Sequence, residues 1–384
     1  MVDLSSSKSE TPGAVITPEE ILGRETIVTS DVYLRLRERL DQYSVGFSTT
    51  ESGVELRLLQ KLFSEEEAEM YLNLSGDLQT AADVAKQANL DPERTLRLLL
   101  QMTEKGLTFP RFPKKEGEPF YFAAAPYVHG ILENQLKRMD KDLAELLEEH
   151  FLAGPVTRGP LAVRTIPVNA AVDQGLTVAP YDDVRAVLGR KDRIAIADCV
   201  CNAWQRARGE RCEQPREVCI LFDFYGEYYV DLGFGRWVSQ DEVLSKMDEA
   251  QEAGLVAQFS NSEDPEALCH CCPSCCGTLR GIKRLPFPGL ILPHSYHSRV
   301  DAQACNACEI CLERCPMDAI SMEAEEVARI DLERCIGCGL CASSCPEGAL
   351  GLERRPKDSM VVPPARGNFM RPSSEIEGSI SRTG

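Results

Sequence analysis

Seventeen cysteines dominate this 384-residue chain, and none of them lies before Cys199. Thiols in such number could bind metal, exchange electrons or pair as disulfides. The chain opens MVDLSSSKSE, without a basic or apolar leader, which predicts no secretory signal and a cytoplasmic protein. Thiols kept reduced there are expected to be metal ligands rather than disulfides. Two runs have the clearest spacing. Residues 305–316 read CNACEICLERCP and residues 335–346 read CIGCGLCASSCP. Both are C-x2-C-x2-C-x3-C-P, repeated at an offset of 30 residues. Three thiols spaced by two residues can wrap a tight loop around a compact core. Pro316 and Pro346 fix the chain direction after the fourth. Thiolates so spaced can converge on one metal centre.

The repeated pattern resembles the bacterial two-[4Fe-4S] ferredoxins over about 300–352. The resemblance implies two clusters with crossed ligands, because the fourth cysteine of each run feeds the other cluster. One cluster would take Cys305, Cys308, Cys311 and Cys345. The other would take Cys335, Cys338, Cys341 and Cys315. It also implies low potential and sensitivity to oxygen. Gly337 and Gly339 would let backbone N–H groups approach the sulfurs. Glu309 stands where the second run has Gly339, a departure expected to alter cluster exposure and not ligation. Ala319-Ile320 and Ala349-Leu350 follow the two runs as a pseudo-symmetric core would require.

Nine further cysteines lie in the middle of the chain. ADCVCNAWQRARGERCEQPREVC supplies Cys199, Cys201, Cys212 and Cys219. LCHCCPSCCGTLRG supplies Cys269, Cys271, Cys272, Cys275 and Cys276, with His270 among them. Cys199 and Cys201 are expected at a strand end, where alternate residues share a face. Cys219, inside VCILF, reads equally as a ligand or as a buried core residue. A further iron–sulfur site of one or two clusters is the favoured reading. The alternatives are a structural zinc site, of four cysteines or of three and His270, and redox-active thiols or a disulfide. Adjacent thiols in Cys271-Cys272 and Cys275-Cys276 point apart in extended chain, so one of each pair is expected to ligate. Cys275-Cys276-Gly277 resembles the CCG element of heterodisulfide-reductase-type subunits in those three residues alone. The arrangement as a whole looks like iron–sulfur proteins of anaerobes.

These residues need elements to hold them. The pattern predicts an α+β multi-domain chain: a tail at 1–18, a helical winged-helix-like domain at 19–152, a cysteine-rich α+β domain at 153–298, the ferredoxin domain at 299–354 and an extended or disordered tail at 355–384. Ser64 with Glu67 forms a capping box, and Thr80 and Asp91 are further helix N-caps. LTFPRFPKKEGEPFYFAA reads as a hairpin. Helix, helix, turn, helix and hairpin at about 55–125 resemble a winged-helix domain. Residues 126–151 read as one long amphipathic helix, with His129 and His150 as surface or core residues. REVCILFDF and EYYVDLGFGRWV read as strands, and SQDEVLSKMDEAQEAG as a helix from Ser239 to Gly254. GTLRGIKRL, with Arg280, Lys283 and Arg284, reads as a solvated basic face. His294 and His297 read as linker residues.

Sixty acidic residues against 42 basic ones give a formal charge of −18, which disfavours nucleic acid and acidic lipid. The charge favours a redox partner with a basic docking patch. DNA binding by the winged-helix-like region is not expected, since Arg94, Arg97 and Lys105 are diluted by acids; contact with protein or a homodimer is. The apolar runs are too short to span a bilayer, so no direct membrane insertion is expected. No dinucleotide fingerprint, P-loop or nucleophile with a base appears. The resulting expectation is an electron-transfer subunit with two [4Fe-4S] clusters and a further iron–sulfur or zinc centre. A redox-responsive transcription regulator and a reductase acting at the central cysteines are the alternatives.

Overall fold

The computed structural model describes residues 30–43, 45–154, 162–169, 171, 176–322, 327–356 and 362–364. The tail expected at 1–18, and all of 355–384 except 355–356 and 362–364, lie outside them. Helices Asp31–Asp41, Val54–Leu62, Glu65–Leu72, Ala81–Ala88 and Pro92–Glu104 pack in the N-terminal part. The capping box at Ser64–Glu67 forms, Thr80 caps its helix in a further box with Asp83, and Asp91 caps Arg94. Strands β1 (Gln79–Thr80), β2 (Thr108–Arg111) and β3 (Tyr121–Ala124) form an antiparallel sheet in the order β1-β3-β2.

The long helix expected at 126–151 does not form. His129 takes a left-handed φ of 60°, and Gly130 N–H donates to Glu133. A regular helix resumes only at Lys141–Ala153, where Asp140 caps Leu143. An internal Gly and an internal N-cap residue interrupt the periodicity, and they are the signals that outweigh it.

The central part is a six-stranded sheet. Its strands are β4 (Val163–Thr165), β5 (Ile194–Asp198), β6 (Glu217–Phe222), β7 (Gly235–Trp237), β8 (Val256–Ser260) and β9 (Ala267–Cys271). Their order is β4-β8-β9-β6-β5-β7, with every ladder antiparallel. The segment expected as one strand at EYYVDLGFGRWV is instead largely helix Asp223–Asp231, and only Gly235–Trp237 is extended. Tyr225, Tyr228 and Tyr229 recur at helical spacing, and Tyr225 and Tyr228 meet Phe109 of β2 ring to ring. The N-terminal hairpin thereby docks on the central domain. Lys114 adds ion pairs to Glu227 and Asp231. Ala197, Trp204, Leu221 and Tyr228 join the apolar core of the N-terminal helices.

At the C-terminal side β10 (Tyr296–Val300) pairs with β13 (Leu350–Arg354), and β11 (Ile320–Met322) with β12 (Ala328–Ile330). The two histidines expected in a linker are therefore structural. His297 lies in β10 and pairs with Glu353 at 2.7 Å, while His294 is buried with Nδ1 2.8 Å from the Leu292 carbonyl.

One buried ion pair ties this side to the sheet. Arg164 of β4 is 2% exposed and donates to Asp182 at 2.9 Å and to the carbonyls of Ser260 and Ser262 at 2.8 Å. Asp182 also accepts from Ser295, just before β10. Asp182→Ala would leave the guanidinium buried without a counter-charge, a loss of about 3–5 kcal/mol. Denaturant unfolding under anaerobic conditions measures it, and a change below about 1 kcal/mol would contradict this role.

Candidate metal centres

Two small cavities, each of about 20 Å³, lie in the C-terminal domain. Cys305, Cys308, Cys311 and Cys345 line the first. Cys315, Cys335, Cys338 and Cys341 line the second. Each set thus combines three thiols of one run with the fourth of the other. The short helices Ile310–Arg314 and Leu340–Ser343 set the third cysteine of each run, and the turn after each helix delivers the crossing one. Ala319 N–H donates to Cys315 Sγ at 3.2 Å, and the Ser298 hydroxyl lies 3.3 Å from Cys341 Sγ. Burial pushes the Cys341 thiol up to about 12 and Cys338 well up. Buried thiols of this kind become thiolates only against a strong positive partner, so this donor set fits a thiolate-ligated cluster.

The two loops are not equivalent. Gly337 and Gly339 have φ of 66° and 80°, and their counterparts Ala307 and Glu309 have 59° and 62°. All four share one backbone shape. Only the second loop is pressed against the protein: a Cβ on Gly337 would lie 2.1 Å from the Tyr296 carbonyl oxygen. The first loop faces solvent, with Cys308 exposed. Side chains are therefore tolerated there at the cost of left-handed strain.

The nine central cysteines separate into two groups. Cys199, Cys201, Cys219, Cys269, Cys271 and Cys276 line one cavity of about 270 Å³. Cys219 on β6 lies directly opposite Cys269 on β9, and Cys271 follows on the same face. Cys199 and Cys201 do not sit within a strand, as expected from sequence. β5 ends at Asp198, Cys199 is the N-cap of helix Val200–Ala207, and Cys201 lies in its first turn. Both thiols reach the cavity all the same, with Cys269, Cys271 and Cys276. Cys276 begins helix Gly277–Lys283. The second group, Cys212, Cys272 and Cys275, lies outside this cavity, with the three sulfurs within 4.8 Å of one another. Cys271 and Cys272 thus point to different sites, as do Cys275 and Cys276.

Several cavity residues carried no signal in sequence. Gln258 of β8 is fully buried opposite Cys269, and neither amide atom has a hydrogen-bond partner. His129 and Glu133 come from the turn where a helix was expected. Burial, with Cys201 nearby, pushes the Glu133 carboxyl up to about 8. His270 is buried with Nδ1 3.3 Å from the Val218 carbonyl, and burial lowers it to about 4, so it is neutral. Unsatisfied amide atoms beside converging thiols fit a bound group in this cavity.

The basic stretch 280–284 is not a free solvated face. Arg280 pairs with buried Glu148 and stacks over Phe151 at 4.9 Å, and Lys283 pairs with Asp318 at 2.9 Å. Glu148 also accepts from Gln205 at 3.1 Å, and the Trp204 indole donates to the Ala144 carbonyl at 2.8 Å.

The 4Fe-4S dicluster domain family matches residues 298–352. This is an iron–sulfur electron-transfer domain. No curated protein and no solved structure matches the chain. The described residues contain no helix long and apolar enough to cross a membrane.

Two substitutions separate the roles of the loops. Gly337→Ala is expected to speed iron loss in air through the clash with Tyr296. Glu309→Gly, which relieves about 1 kcal/mol of left-handed strain, is expected to leave it unchanged or slower. Equal rates for both variants would contradict the assignment.

Proposed function

We propose that this protein relays single low-potential electrons through two [4Fe-4S] clusters in residues 298–352 and a further iron–sulfur centre in the central cavity. The observation that carries the reading is a continuity of packing. Cys271 and Cys276, two walls of the central cavity, share one apolar cluster with Cys311, Cys335, Cys338 and Cys341, and Cys305, Cys315 and Cys345 pack against it. Thiols of both ferredoxin sites thus belong to one apolar core with two walls of the central cavity. The first ferredoxin site faces outward, as an exchange point should. Asp301, Glu309, Glu313 and Glu347 are exposed around it, beside exposed Ile310. An acidic rim about a small apolar contact suits a redox partner with a basic patch, in an association that weakens with salt.

The winged-helix-like unit serves in this reading to dock within the chain. Its hairpin packs on helix Asp223–Asp231, and its turn at 127–131 walls the cavity. A DNA-binding regulator is disfavoured by the same unit. Arg94 is paired with Glu66 at 2.6 Å, Arg97 with Glu93 at 3.7 Å and Lys105 with Glu67 at 2.7 Å. A gel shift with duplex DNA is expected to show no salt-sensitive retardation.

A second reading, reduction of a small molecule at the central site, is favoured by volume. The central cavity, at about 270 Å³, is more than ten times the size of either ferredoxin cavity, at about 20 Å³. It has room for more than a cluster. Glu133, protonated near neutral pH, could supply a proton there.

Iron and acid-labile sulfide per chain, measured on anaerobically purified protein, test the proposal. About twelve irons or more are expected, against about eight for the dicluster domain alone. Cys276→Ala should remove only the excess. About eight irons in the unaltered protein would refute the central centre. Steady oxidation of reduced methyl viologen by a panel of small disulfides and N-oxides, abolished by Cys276→Ala, would favour the second reading.

A further inference from the structure

We infer that Cys212, Cys272 and Cys275 form a separate site for a single zinc ion, distinct from every cluster site. Three thiols gathered this closely do not suit a cluster. A cubane spreads its thiolates over separate irons, whereas one ion draws them together. A tetrahedral ion with metal–sulfur bonds of about 2.3 Å separates its sulfurs by about 3.8 Å. Cys212 Sγ and Cys272 Sγ are 3.8 Å apart. The ferredoxin thiols provide the internal comparison: among the described residues no three of them lie within 4.8 Å of one another.

The location is also that of a structural clamp. Cys212 sits in the loop between helix Val200–Ala207 and β6, and Cys272 and Cys275 sit in the turn after β9. The sites are 60 residues apart in sequence. An ion here would close that long loop and pin the turn whose neighbouring residues, Cys271 and Cys276, face the central cavity. Among the described residues no fourth Cys, His, Asp or Glu joins the group. The Ser274 hydroxyl is 2.9 Å from Cys272 Sγ and 3.8 Å from Cys275 Sγ, and Cys212 and Cys272 are part-exposed. The fourth position is thus left to water held beside Ser274. Zinc suits the set because thiolates bind it strongly and it has no redox state to compete with the clusters.

The test uses the full chain purified without oxygen. Zinc K-edge absorption of the unaltered protein is expected to show one zinc per chain with three sulfurs at about 2.3 Å and one lighter atom. Cys212→Ser should lose that zinc while the iron count is unchanged, and Cys212→His should retain it. Absence of zinc in the unaltered protein would overturn the inference. So would a zinc shell without sulfur, iron or copper in its place, or a Cys212–Cys272 disulfide found by mass spectrometry. The iron count decides the central cluster separately, so either proposal can fail alone.

Discussion

Glu148 is the point on which the central site depends. It is a buried carboxylate on the last N-terminal helix, and its partners are Arg280, Gln205 and Arg208. Gln205 and Arg208 follow Cys201 along one helix and its cap. Arg280 lies on the helix that Cys276 begins. A single anion therefore holds together two short helices that each contribute thiols to one cavity. Burying such a charge is costly unless every lone pair is used, and here Coulomb attraction and hydrogen bonds act together. The N-terminal domain is in this sense part of the central thiol-lined site, although it contains no cysteine.

The same dependence shows in the core. Trp204 fills the interface between helix Lys141–Ala153 and the cavity helix, and Tyr228 joins the hairpin's Phe109 to the sheet. Cavity walls come from the turn at 127–131, from the helix starts at Cys199 and Cys276, and from the facing strands β6 and β9. Elements distant in sequence must all be placed before the thiols converge. Burial among these elements accounts for the raised pKa of Glu133 and the lowered pKa of His270, since it disfavours either charged form.

Exposure differs between the two ferredoxin sites. Cys308 is open to solvent, whereas Cys335, Cys338 and Cys341 are buried. The difference follows from backbone packing. Gly337 lies against Tyr296 and Gly339 against Ala171, while the matching Ala307 and Glu309 meet solvent. The glycine-to-side-chain difference between the repeats was visible as a departure in sequence, and the packing supplies its cause.

The grouping of the eight ferredoxin cysteines was legible because its signal is local. A strict spacing within twelve residues, repeated once, carries the resemblance that implies the crossed sets, and the same sets line the two cavities. Helix caps at Ser64, Thr80 and Asp91 were legible for the same reason, since each satisfies donors within its own first turn. The central site was legible only as a composition. Nothing local distinguishes Cys271 from Cys272, or marks Gln258, Glu133 or Glu148 as their neighbours. Local pattern also misplaced the helix at 126–151 and the strand at 227–238, where a capping residue and a packed aromatic stripe prevailed. The sequence by itself determined that this chain binds iron–sulfur clusters at its C-terminal side. Only the tertiary structure decided how nine other thiols divide between one cavity and a separate triad, because strand pairing and helix docking between segments distant in sequence set those distances.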